Sequence, residues 1–247
     1  GNPPELLPQL LQQYNCEAVY ASKEYTHEEI EVEKALNEQC VVHYFHNSTL
    51  IHPDDVSFDI PKMPEVFTAF RKKVEKYSEV RPVKLSPKQI KSPDLEDTPL
   101  PLLNDLRYDS IQPDKRGVLP FKGGSRESWK RLEHYFWDKE HLSEYKKTRN
   151  GLIGADYSSK FSPWLAHGCI SPRSIYHEIE DYESEVEKND STYWLKFELL
   201  WRDFFKYTAM RYGKRIFMAG GIKNKNKKWH HHPRTVQKWM DGETGDD

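Results

Sequence analysis

The chain has 247 residues, 31% of them Asp, Glu, Lys or Arg and 13% aromatic, with a formal net charge of −2. That length allows one large domain or two small ones around a sizeable core. No apolar run approaches the roughly 18 residues of an ordinary transmembrane helix, and no signal or transit peptide is recognisable.

Three widely spaced cysteines, Cys16, Cys40 and Cys169, offer neither a zinc spacing nor a disulfide framework and suit an intracellular, reducing compartment. The small net charge hides an asymmetry. Residues 1–110 carry 12 Lys and Arg against 19 Asp and Glu, whereas residues 201–234 carry 10 against one, with His230, His231 and His232 alongside. A basic block after an aromatic helix is the electrostatic footprint of a nucleic-acid binder; a solvated lysine-rich loop is the alternative for Lys223–Lys228. Three adjacent histidines cannot all face one site on regular structure, so no metal site is expected.

In chain order, Pro3 and Pro4 open an amphipathic helix with Leu6, Leu7, Leu10 and Leu11. Cys16–Ala21 reads as a short strand, Thr26 and Glu29 as a capping box for a helix to about Glu38, and Cys40–Phe45 as the next strand. Helix, strand, helix, strand over residues 1–52 predicts part of a parallel, Rossmann-like α/β domain whose first strands lie before Gly1. Residues 53–125 are rich in proline and predict a long connector, interrupted by one helix over Glu65–Tyr77 with Phe67, Phe70 and Val74 on a face. From Arg126 the periodicity is helical, with further helices over about Pro172–Glu187 and 192–212, so residues 126–247 read as all-α. The fold class is therefore α/β plus all-α.

The chemistry concentrates between Tyr145 and Phe205. Ser162-Pro163 and Ser171-Pro172 each place a capping hydroxyl before a proline at a helix start. Ser158, Ser159 and Lys160 precede the first of these, adding hydroxyls and a cation suited to an anion or phosphate. Plain capping without a ligand is the other reading. Glu198 sits inside an aromatic helix with Trp194, Phe197 and Trp201 around it, and a carboxylate there needs a donor. That donor is either an internal partner, Arg149 or Arg202, or a ligand held beside the Trp201 indole. No nucleophile elbow, phosphate-binding glycine loop or paired carboxylate is present, which points to borrowed, cofactor-based chemistry.

Three motifs then become recognisable: Y-x-x-T-R-N from Tyr145, S-S-K-F-S-P-W-L-A-x-G-x-I-S-P-R from Ser158, and W-x-x-F-E-L-L-W-R-D-F-F from Trp194. Together they resemble the photolyase/cryptochrome family, and T-R-N-G with D-S-T-Y-W resembles its DASH branch. The resemblance implies an antenna domain over 1–52, a connector over 53–125 and a helical FAD-binding domain over 126–247, with remaining flavin contacts beyond Asp247. FAD would meet Tyr145, Ser158, Ser159, Lys160, Phe161, Ser162, Glu198 and Trp201. The implied activity is a carbon–carbon lyase: light-driven splitting of cyclobutane pyrimidine dimers, chiefly in single-stranded DNA. Glu198 and Trp201 would contact the dimer, Arg149 the DNA, and Trp229 would pass electrons in from the surface; Trp239 falls outside that main chain. A blue-light photoreceptor or regulatory DNA- or RNA-binding protein without repair is the alternative. Glu24, in the context Y-A-x-K-E, matches a contact to a folate antenna, 5,10-methenyltetrahydrofolate, although Ile216 and Phe217 stand where better-known photolyases place a Cys-Lys pair. The resemblance further implies a monomer without a membrane partner, cytoplasmic in a bacterium and organellar or nuclear in a eukaryote.

Overall fold

The computed structural model describes residues 1–90, 92, 95, 97–109, 114–225, 228 and 230–245. Helix α1 (Pro3–Gln13) carries proline in its first turn, where no amide donor is needed. Strands β1 (Val19–Ser22) and β2 (Val42–Phe45) pair in parallel, Val19 opposite Val42 and Ser22 opposite Phe45. Helix α2 (His27–Asn37) makes the crossover that parallel pairing requires. Both strands are shorter than the predicted spans. The capping box predicted for α2 is not made: the Thr26 hydroxyl is spent on the Glu29 carboxylate, leaving the backbone amides uncapped.

Beyond β2 the chain makes two short 3₁₀ turns, Pro53–Asp55 and Ile60–Lys62, and then α3 (Phe67–Tyr77). Phe67, Phe70 and Val74 are buried, as their spacing predicts. Most of residues 82–118 among those described are exposed. The helical portion follows as α4 (Ser125–Glu133), running on through a π-turn at His134–Asp138, α5 (Tyr145–Thr148), α6 (Ser162–Ala166), α7 (Pro172–Glu185), α8 (Asp190–Tyr212) and α9 (Pro233–Asp241). This is an α/β unit of parallel strands followed by helices, the predicted class.

The long central helix α8 starts at a true capping box. The Asn189 side chain accepts from the Ser191 and Thr192 amides at 2.7 and 3.1 Å, and the Thr192 hydroxyl accepts from the Asn189 amide at 3.2 Å. Ser171 caps α7, accepting from the Arg173 amide at 3.2 Å, whereas Ser162 is the first residue of α6 and not its cap.

One hydrophobic core joins Leu50, Ile51, Phe67, Phe70 and Val74 to Tyr135, Phe136, Leu142, Ile175, Ile179, Tyr182, Leu199 and Tyr207. The segment after β2 is clamped onto α8 by Asp203, fully buried, whose two carboxylate oxygens accept from the Leu50 and Ile51 amides at 2.9 and 2.8 Å. Tyr207 donates to the Ile51 carbonyl at 3.0 Å, Arg173 to that of His46 at 2.7 Å, and Arg202 to that of Ser48. These bonds satisfy backbone groups that a chain leaving a sheet would otherwise bury unpaired.

Candidate functional site

Helix α8 presents Leu195, Glu198, Leu199, Trp201, Arg202, Phe205 and Lys206 along one side, the i, i+3, i+4, i+7 spacing of a single face. The loop into α6 and α6 itself oppose that face with Ser159, Phe161, Ser162 and Leu165, and Tyr145 from α5 closes one end. The cavity between them opens to solvent, measures about 510 Å³ and is walled mainly by apolar atoms, with a few convergent polar groups.

Glu198 and Arg149 form an ion pair across the mouth, Nη2 to Oε1 2.8 Å, with both side chains roughly a third exposed. Of the two internal partners that the sequence leaves open for Glu198, the structure selects Arg149; Arg202 turns to the Ser48 and Leu165 carbonyls. Burial pushes Glu198 above the usual carboxylate range, with Arg149 pulling the other way. Burial also raises the Tyr145 phenol, helped by Glu198, and the Arg149 guanidinium lies 6.0 Å from the Tyr145 ring centre. Trp201 is half-buried: its indole stacks on Phe67 at 3.6 Å between ring centres and faces Phe205 at 5.6 Å. Phe205 itself is 63% exposed, so it is the outer of the two rings that lie against the indole.

Six of the predicted residues thus come together: Tyr145, Ser159, Phe161, Ser162, Glu198 and Trp201 line one cavity, with Arg149 on Glu198. Ser158 and Lys160 do not line it, although they belong to the same loop. Trp229 lies outside the described residues. His230 and His232 stack at 6.4 Å, and no three His, Cys, Asp or Glu side chains among the described residues are grouped as a metal site.

A second cavity, about 780 Å³, opens at the carboxyl ends of β1 and β2, where open parallel sheets bind ligands. Glu24, Ser48, His167, Arg173, Arg202 and Lys206 are on its walls. Burial lowers all three cations from their ordinary values, and none meets a carboxylate at ion-pair distance among the described residues. Glu24 also borders a shallower apolar cleft beside α2.

Comparison with known proteins accounts for this arrangement. A family model described as DNA photolyase matches residues 1–91. The chain is 44% identical over 255 residues to a Cryptochrome DASH of Synechocystis and 45% identical over 254 residues to one of Danio rerio, each match covering 99% of this chain and 51% and 49% of the relative. The solved structure of a Synechocystis cryptochrome superposes with a TM-score of 0.92 at 45% identity, covering 99% of this chain and 52% of that one. The chain belongs to the photolyase/cryptochrome family. It spans about half the length of the curated relatives it matches, and those cited are DASH cryptochromes.

Photolyases and cryptochromes generally hold FAD, and the cavity between α8 and the Ser159–Ser162 loop has the donor set for it. Its lining offers the Ser159 and Ser162 hydroxyls beside the rings of Tyr145, Phe161, Trp201 and Phe205. Sequence reasoning did not place Arg202 (named there as a partner for Glu198), Phe205 or Lys206 on that cavity. Their signal was present: they stand four, seven and eight positions after Glu198, on the same helix face. Arg131, which holds the loop from behind, gave no such signal. A buried arginine inside a charged helix reads as surface.

Proposed function

We propose that the protein is a blue-light-dependent flavoprotein of the DASH cryptochrome type that splits cyclobutane pyrimidine dimers, chiefly in single-stranded DNA. The observation that carries this reading is the single cavity in which Glu198 and Trp201 face Ser159, Ser162 and Tyr145. Reduced FAD, when bound, supplies light absorption and the electron. The protein's own residues do the rest. Ser159, Ser162 and the loop amides bind the phosphates, while Tyr145 and Phe161 close the site to water. Trp201, on the cavity wall, stacks against the extruded bases, as flat apolar rings do. Glu198, whose acidity burial weakens, donates a hydrogen bond to a base carbonyl oxygen when it is protonated. Arg149 swings from Glu198 to a DNA phosphate. Extrusion costs least when the bases are damaged or single-stranded, which favours that substrate. Trp229 is assigned the entry point for electrons from solvent. The second cavity suits a folate antenna, Glu24 meeting pterin N–H donors and Arg173 or Lys206 meeting the glutamate carboxylates.

One observation favours the alternative of a photoreceptor without repair: Arg149 and Glu198 already satisfy each other, so the repair reading requires that pair to open. The deciding experiment measures light-dependent loss of dimers from single- and double-stranded DNA by the flavin-loaded protein. Loss that is faster on single strands supports repair. Photoreduction of flavin without dimer loss supports the sensor.

A further inference from the structure

Arg131 lies on α4, outside the cavity, and is only 6% exposed. Its guanidinium is committed to the loop that precedes α6. Nε donates to the Ser159 carbonyl at 3.0 Å, and Nη2 to those of Ala155 and Ser158 at 2.9 and 3.0 Å. Nη1 pairs with Asp156 Oδ1 at 2.7 Å, and Asp156 in turn meets His134 at 3.4 Å and His141 at 3.5 Å. A buried arginine spending three donors on backbone carbonyls of one loop fixes that loop's peptide planes.

The consequence follows from peptide geometry. In a planar trans peptide the C=O and the next N–H point in opposite directions. With the Ser158 and Ser159 carbonyls drawn to Arg131, the Ser159 and Lys160 amides must face away from it. Lys160 then adopts φ +58°, in the left-handed region, and Phe161 returns to the right-handed one at φ −74°, ψ −14°. Successive residues of opposite hand turn their N–H groups into an anion-binding concavity. Among the described residues the amides of Ser159, Lys160, Phe161 and Ser162 meet no acceptor. A left-handed lysine is costly without compensation, and the Arg131 bonds provide it.

We infer that Arg131 is a positioning residue: from behind the loop it holds the Ser159–Ser162 amides in the shape that binds the pyrophosphate of a dinucleotide cofactor. This rests on the FAD reading above and extends it to a residue that touches no ligand. The test uses the complete apo-protein and compares FAD, which carries the pyrophosphate, with riboflavin, which does not. Arg131→Met should weaken FAD binding more than tenfold while changing riboflavin binding less than twofold. Arg131→Lys, able to reach only some of the carbonyls, should lose FAD affinity to an intermediate degree, and it carries the test if the methionine variant does not fold. In Arg131→Ala, millimolar guanidinium ion should restore FAD affinity where methylammonium does not. Equal losses for both ligands would mean general loosening and would overturn the inference, as would FAD affinity unchanged in every variant. Wild-type protein that binds FAD no better than riboflavin would instead overturn the cofactor reading on which it stands.

Discussion

Two carboxylates, one buried and one partly exposed, show how environment decides the work a side chain can do. Asp203 is fully buried, and desolvation pushes it up to about 7 from 3.8, against the pull of the Leu50 and Ile51 amides and of Arg202. The folded protein therefore holds a proton that the unfolded chain has lost between about pH 4 and pH 7, so stability should fall as pH rises through that window. Asp203→Asn should flatten this slope in denaturant titrations across pH. It should also cost about 1–3 kcal/mol throughout, because the NH₂ that replaces one carboxylate oxygen cannot accept and leaves one backbone amide unsatisfied. Glu198 is shifted in the same direction but sits at a cavity mouth, where a retained proton can be offered to a ligand. Glu198→Ala should lower the yield of dimer repair about a hundredfold, the scale of losing one donor to developing charge, with flavin content unchanged. Repair by the wild type should decline as pH rises through the raised Glu198 pKa, and Glu198→Gln should abolish that dependence.

Helices and their caps carry most of the legible information. The aromatic run of α8 announced itself through its spacing, and Phe67, Phe70 and Val74 marked the buried face of α3 before any partner was known. What they pack against was not legible, because Phe67 meets Trp201, which stands 134 positions further along the chain. Local pattern does not specify such pairings. Capping chemistry was read with mixed results: Ser171 caps α7, but Thr26 spends its hydroxyl on Glu29 and Ser162 enters α6. In each case a side-chain acceptor or a shift of one residue outcompeted the expected bond. The box that does form, at Asn189 and Thr192, opens the longest helix. Asn189→Ala should therefore cost about 1 kcal/mol, seen as a lower thermal midpoint.

At the scale of the molecule, the basic block of residues 201–234 divides in two. Arg202 and Arg211 are spent on carbonyls of the preceding segments, whereas Lys223, Lys225 and Lys228 stand exposed. Lys214, Arg215 and Arg234 are exposed as well, so the Lys223, Lys225 and Lys228 group stands with them among the cations placed to meet phosphates. Replacing those three lysines with alanine should reduce the salt dependence of single-strand binding, d log K/d log[salt], by about 2, near 0.7 per lost contact, while leaving the melting temperature unchanged. The contact of Phe67 with Trp201 has an optical consequence. An indole fixed 3.6 Å from a second ring in a chiral setting gives a near-ultraviolet dichroic band. That band reports the docking of α3 on α8, while the far-ultraviolet signal reports the helices themselves. With α3 and α8 sharing one core, both signals should be lost at one denaturant concentration; Phe67→Leu should erase most of the near-ultraviolet band and leave the far-ultraviolet spectrum intact.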